Sequence, residues 1–287
     1  MRVVKYFIQF IFIYFLLILF KLLGFKMASN LASNLFVYVG PFFRSKKTIT
    51  SNIQKAFPDS NNKDIKKIIN DMWSNYGRIL SEYVFIKDFR NSKLSNNISV
   101  EGQEILEKIK QDSKPVIFIS GHFNNFELMA MHIDKSGINL AAIYRPLNNK
   151  FLNYFMEKIR RRFICKKQVK KGISGTKNIL RHFKDGSSIA LMIDQRVSQG
   201  IKSNFFNNEA LTTTIPAQFI KKFNCSVVPI HIERENNFNF KLKIYEPLTY
   251  SKDQTIETIT LNLNQILEKM ILKNPGQWIW SHNRWKV

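Results

Sequence analysis

The chain reads as an α/β protein: a mostly parallel central sheet flanked by helices, preceded by an N-terminal transmembrane helix and a mainly helical accessory region. Three observations predict this. Beyond Val100, short apolar runs alternate with helical patterns, as in a parallel sheet covered by helices. A near-continuous apolar stretch, Tyr6 to Phe20 broken only by Gln9, lies near the start. Between the two, residues 51–86 carry apolar side chains at mixed three and four spacing. With 287 residues and no low-complexity or Pro/Gly/Ser-rich linker, the chain is long enough for one sizeable domain with a substantial core. The expected organisation is an anchor over 1–26 and a main domain over 27–287, of which 27–100 is the helical accessory part.

The N-terminal stretch reaches Phe25 if Lys21 snorkels, and about twenty residues suffice to cross a bilayer. Arg2 and Lys5 precede it, but Lys26-Met27-Ala28-Ser29-Asn30 is a poor cleavage site, so an uncleaved anchor is expected. Lys21, Lys26, Arg44, Lys46 and Lys47 crowd its downstream flank, which places the main domain on the cytoplasmic side. A helix lying among the headgroups, or a buried first helix, is the alternative.

The accessory helices draw on Ile53, Phe57, Ile65, Ile68, Ile69, Met72 and Trp73. The apolar runs that follow fall at 115–120, 139–144, 187–193, 225–232 and 239–244, with helical patterns at 125–134, 150–163 and 255–273. Ligands of such sheets bind beyond the carboxyl ends of the strands. There stand His122 after the first run, Arg145 after the second and Asp194 after the third. Forty-four Lys and Arg against twenty-one Asp and Glu give a formal charge of +23, which calls for anionic partners: nucleic acid, an anionic membrane, a phosphorylated lipid or an acidic protein. No base-stacking motif accompanies the charge, so nucleic acid is not expected. The stretch 157–171 holds eight basic residues against one acid and suits anionic headgroups or an acidic carrier protein, or is simply a solvated helix face. Cys165 and Cys225 show neither Cys-x-x-Cys nor zinc spacing; reduced, unrelated thiols are expected over a disulfide.

Gly121-His122-Phe123-Asn124-Asn125-Phe126-Glu127 places a histidine and a carboxylate five apart at a strand-to-helix turn. Helix neighbours are three or four apart, so the two meet only if His122 precedes the helix and Glu127 lies in its first turn. A carboxylate on one ring nitrogen fixes the imidazole tautomer and leaves the other nitrogen to take a hydroxyl proton. His122, Glu127 and His132 lack the spacing of a zinc-protease helix; no metal and no cofactor are expected.

Here the chain resembles the late acyltransferases of lipid A biosynthesis, the lauroyl/myristoyl transferases of Gram-negative bacteria, which carry a His-x4-Asp/Glu pair. Tyr144-Arg145-Pro146-Leu147-Asn148-Asn149 is similar to the family's second motif. Asp194-Gln195-Arg196 with Gly200, Thr214 and Pro216 is similar to its third, and Pro275-Gly276-Gln277-Trp278-Ile279-Trp280-Ser281-His282-Asn283-Arg284 to its closing pattern. Asn52 to Pro58 and Tyr76 to Glu82 are also similar to the family's N-terminal pattern, though amphipathic packing alone accounts for them. Asn125 and Ser187-Ser188 stand where glycines are common in the family.

The resemblance implies transfer of a fatty acyl group from an acyl-carrier-protein thioester to a hydroxyl of a phosphorylated lipid A precursor, at the bacterial inner membrane. It implies His122 as general base and Glu127 as its orienter, with no acyl-enzyme. Arg145 and backbone donors at a helix start near Asn124 would steady an oxyanion or, for Arg145, a phosphate. Asp194 and Gln195 fall in the substrate region, with a strand-end carboxylate that orients Arg145 or Arg196 as the equal alternative for Asp194. Trp280, His282 and Arg284 would wall an acyl groove or a sugar-phosphate site, with core packing as the alternative. An acyltransferase acting on another membrane glycolipid or phospholipid, and an inactive membrane-tethered relative, are the competing readings.

Overall fold

A computed structural model describes residues 2–286. Helix α1 (Arg2–Leu23) ends at Gly24, whose φ of 75° is open to glycine, and α2 (Phe25–Val39) leaves in a new direction. The accessory part continues with α3 (Lys46–Ala56), α4 (Asn62–Glu82) and α5 (Ile86–Asn91). Ser45 caps α3 by accepting from the Thr48 N–H, and Asn61 caps α4 through the Lys63 and Asp64 N–H groups.

Helices α2 and α4 approach closely because their facing residues are small. Ala28, Ser29, Ala32 and Ser33 are buried on α2, and a Cβ at Gly77 of α4 would collide with the Ala32 carbonyl. Nor does α1 stand apart. Leu17 and Phe20 are buried in the common core, and Lys21 pairs with Asp88 at 2.6 Å. Farther out, the rings of Phe7 and Phe10 meet Phe151, and Tyr14 meets Phe155.

The α/β part runs β1 (Ile98–Glu101), α6 (Gln103–Asp112), β2 (Ile117–Ser120), α7 (Glu127–Lys135), β3 (Leu140–Tyr144), α8 (Lys150–Phe163), β4 (Lys167–Lys170), α9 (Ile173–Lys184) and β5 (Ser188–Met192). A hairpin β6 (Ile201–Phe205) and β7 (Asn208–Thr212) follows, then α10 (Ile215–Phe223), β8 (Val227–Glu235), β9 (Asn239–Ile244) and α11 (Ile256–Lys273). The main sheet has the order β1-β9-β8-β2-β5-β3-β4 and is parallel throughout except for the β8–β9 hairpin. The expected α/β fold, a mostly parallel central sheet flanked by helices with one apolar N-terminal helix, is therefore present.

Five segments depart from the sequence reading. β1 and the β6–β7 hairpin are additional strands, α6 and α9 are additional helices, and the basic stretch 157–171 is not one amphipathic run. It splits into the end of α8 and the edge strand β4, where lysines at both ends protect an exposed edge. The two cysteines are free, as expected.

Gly77→Ala is expected to loosen the α2–α4 crossing at a cost of about 1–3 kcal/mol. At about 2–4 °C per kcal/mol for a chain of this size, the thermal midpoint should drop by several degrees. An unchanged midpoint in scanning calorimetry would mean that this contact is not a structural constraint.

Candidate active site

The site lies at the carboxyl ends of β2 and β5, which are neighbours. Their register pairs Ser120 with Met192, so two residues farther on His122 and Asp194 arrive opposite each other. Asp194 is fully buried. Its Oδ1 meets His122 Nδ1 at 2.8 Å, while Oδ2 accepts from the His122 backbone N–H and from Trp278 Nε1, both at 2.8 Å. Burial would raise the Asp194 pKa, but the charge of His122, its two hydrogen bonds and the Trp278 indole outweigh it and hold the carboxyl at about 2. An ionised Asp194 accepts a hydrogen bond from His122 Nδ1–H, which leaves Nε2 as the ring nitrogen without the proton; the His122 side chain is 22% exposed. The Phe126 ring meets the imidazole edge-on with centroids 4.9 Å apart.

The expected His122–Glu127 pairing is thus corrected. Glu127 opens α7, but its carboxylate is held by Arg160 of α8, with Nε 2.7 Å from Oε1. A guanidinium fork satisfies a carboxylate more fully than one imidazole N–H does, and the neighbouring strand delivers Asp194 to the histidine instead. The buried Tyr83 hydroxyl adds its position beside this pair, and burial raises its pKa well above the ordinary value.

Of the expected backbone donors near Asn124, those of residues 123–126 are engaged within the molecule. The helix begins at Glu127, and the loop before it uses its own N–H groups. Phe123 N–H bonds Gly121 O, Asn124 N–H bonds Gln277 O, Asn125 N–H bonds Asn124 Oδ1 and Phe126 N–H bonds Asn124 O. Asn124 is buried, with a φ of 21°, and its Nδ2 donates to Ile232 O and Gln277 Oε1. Its side chain thereby shapes the loop.

Arg145 is exposed at the end of β3, one strand beyond Asp194, and Gln195 follows Asp194 half-buried. Lys171 follows β4, anchored by its N–H to Tyr144 O at 2.8 Å. Its pKa is lowered, first by burial and then by Arg145, with Asp194 opposing. Two cations therefore stand together at this edge of the site, where composition suggested only a diffuse excess.

Much of the closing segment is packed into the core. Trp280 is fully buried, donates its indole N–H to Pro275 O at 2.7 Å and packs edge-on against Trp278. Arg284 is fully buried too, bonding Leu211 O and Thr212 Oγ1 of β7 and lying over Phe205. His282 is half-buried and its Nε2 accepts the Arg196 N–H at 3.0 Å; burial lowers its pKa to about 4. The contact of this segment with the His122–Asp194 pair is made by Trp278, which sequence reasoning counted only among the aromatic residues of a substrate wall; its signal was that a buried indole N–H needs an acceptor. Among the described residues no group of three or more His, Cys, Asp or Glu converges as metal ligands, and His132 bonds Gln103 Oε1 at 2.8 Å.

A family model described as bacterial lipid A biosynthesis acyltransferase matches residues 1–287. The chain is 22% identical over 265 residues to the lipid A biosynthesis palmitoleoyltransferase of Escherichia coli strain K12, covering 90% of this chain and 84% of that one. It is 22% identical over 252 residues to the lipid A biosynthesis lauroyltransferase of the same organism, covering 85% and 80%. A lipid A biosynthesis acyltransferase of Haemophilus influenzae is 24% identical over 239 residues, covering 82% and 76%. Among solved structures, the 1-acyl-sn-glycerophosphate acyltransferase of Thermotoga maritima matches with a TM-score of 0.41 and 13% identity, over 96% of this chain and 99% of that one.

The titrations give stability a definite pH dependence. His282 and the buried His231 both sit at about 4 against an ordinary 6.5, so the stability they confer is complete above 6.5 and lost as pH falls through 4. Asp194, at about 2 against 3.8, adds a loss below about 4. Urea unfolding should show stability declining across both windows, and His282→Gln should make the upper decline shallower, leaving the share of His231. A variant that keeps the wild-type slope between 6.5 and 4 would contradict this assignment.

Proposed function

The chain belongs to the bacterial lipid A biosynthesis acyltransferase family, and on that premise we propose that it moves a fatty acyl group from acyl-carrier protein to a hydroxyl of a lipid A precursor, with His122 as general base and Asp194 as its orienter. The observation that carries this reading is the buried Asp194 carboxylate on His122 Nδ1, which leaves Nε2 free at a partly exposed site. The acceptor hydroxyl gives its proton to Nε2 while its oxygen attacks the thioester carbonyl. The tetrahedral oxyanion then collapses, expels the carrier thiolate and returns the Nε2 proton to it. No covalent enzyme intermediate is required. With the loop N–H groups engaged, Arg145 and Lys171 are the groups placed to steady the oxyanion or a phosphate of the acceptor.

The charge of +23 supports an acidic donor protein and a phosphorylated acceptor together. Membrane attachment is assigned to α1, where Val3, Ile8, Phe12, Phe15 and Leu22 are all strongly exposed. The basic residues downstream favour a single pass with the main domain on the cytoplasmic side. A second mode, with α1 lying in the headgroup layer, is favoured by its ring contacts with α8 and by the Asn149 Nδ2 bond to Tyr6 O at 2.7 Å, which keep α1 alongside the domain.

The test is transfer from acyl-carrier-protein donors of several chain lengths to a lipid A precursor by the detergent-extracted full chain. His122→Ala and Asp194→Asn, each checked for folding, should lower transfer by about 10²–10⁴-fold. Survival of transfer in His122→Ala would overturn the mechanism. A wild type silent here but active on another glycolipid or a phospholipid would overturn the acceptor.

A further inference from the structure

Glu82, the last residue of α4, is fully buried, although the sequence around it reads as plain amphipathic packing. Arg234 of β8 grips its carboxylate with both terminal nitrogens, Nη2 lying 3.0 Å from Oε2. The same guanidinium bonds Asn75 Oδ1 and lies over the Phe240 ring, 4.6 Å from its centroid. A buried ion pair of this kind adds little net stability compared with apolar residues of the same shape, so its other connections merit scrutiny. Glu82 Oε2 also accepts from Asn125 Nδ2 at 3.0 Å, three residues beyond His122.

Main-chain contacts converge on the same arginine. Gln277 brackets Arg234, accepting its N–H at 2.8 Å on Oε1 and donating Nε2 to its carbonyl at 2.9 Å. Gln277 Oε1 and its carbonyl also receive the side chain and the N–H of Asn124. The His122 loop thus hangs from Arg234 by two routes, through Glu82 to Asn125 and through Gln277 to Asn124. The next residue after Gln277 is Trp278, which bonds Asp194.

We propose that Glu82 is a positioning residue for acyl transfer, acting through Asn125 to fix the loop that carries His122. The inference rests on the reading of His122 as general base. It gives the accessory helical part a role in the chemistry, since its α4 holds the base in line with Asp194 and the incoming hydroxyl. Misplacement of a reacting group by about 1 Å can lower a rate by about 10²-fold.

The test exchanges the carboxylate and the amide. In the full-length protein, Glu82→Gln removes the charge that Arg234 and Asn125 share, and Asn125→Asp sets two carboxylates against each other. The double variant Glu82→Gln/Asn125→Asp restores one carboxylate, one amide and one guanidinium. Each single variant should lower kcat by about 10²-fold with KM within about threefold, and the double should recover most of that loss, as coupled neighbours do. Should Glu82→Gln fail to fold, Asn125→Ala leaves the Glu82–Arg234 pair intact and should show the same loss of kcat. Carbethoxylation of the His122 peptide, followed by mass spectrometry, provides a readout independent of substrate: the single variants should change its rate and the double should restore it. A wild type inactive in transfer would sink the functional reading, while the carbethoxylation pattern would still decide this one. Variants that lose thermal stability while kcat and His122 reactivity stay at wild-type values, or a double no better than the worse single, would overturn the proposal.

Discussion

The Asp194 carboxylate is the point on which the rest of the structure depends. A charge withdrawn fully from water is tolerated only when its oxygens are satisfied, and here three donors from two distant segments do so: the His122 ring and backbone, and the Trp278 indole. The loop after β2, the end of β5 and the segment after α11 are thereby tied to one pair of oxygens. The same contacts that make burial tolerable also set the imidazole tautomer, so one set of hydrogen bonds meets both the packing requirement of Asp194 and the orientation of His122.

Much of the fold was legible because the central strands are buried on both faces and read as continuous apolar runs. Ile117-Phe118-Ile119-Ser120 is buried at every position, and β8 and β9 fall close to their expected spans. The segments that escaped lie where this signal fails. β4 is a lysine-flanked edge strand, and β6–β7 turns through Phe206 and Asn207, both at positive φ, without the Gly that marks such turns. At the site, His122, Arg145 and Asp194 were recognisable as strand-end polar residues. Their pairing was not, because it depends on β5 lying beside β2, a fact of strand order rather than local spacing. Proximity in sequence favoured Glu127, yet helix α8 contributes Arg160 to hold it. Trp280 and Arg284 were assigned to a substrate wall by their chemistry, whereas burial decides that they belong to the core.

The few carboxylates are used economically. Glu82, Glu127, Asp134 and Asp194 each face a guanidinium or an imidazole within the domain. Because each of these carboxylates is matched by a cationic or imidazole partner within the domain, the excess of +23 is carried by the remaining side chains. The accessory helices and α8 take part in this arrangement, so they are partners of the sheet rather than appendages.

The segment 277–285 follows every strand of the sheet in chain order, yet it closes the site: Gln277 receives the Asn124 N–H, Trp278 reaches Asp194, and Asn52 clasps the carbonyls of Trp280 and His282. On a ribosome, the sheet, the base and its carboxylate all emerge before the indole that completes their hydrogen bonding. The last donor to the Asp194 carboxylate thus belongs to a part of the chain made after the sheet on which it docks.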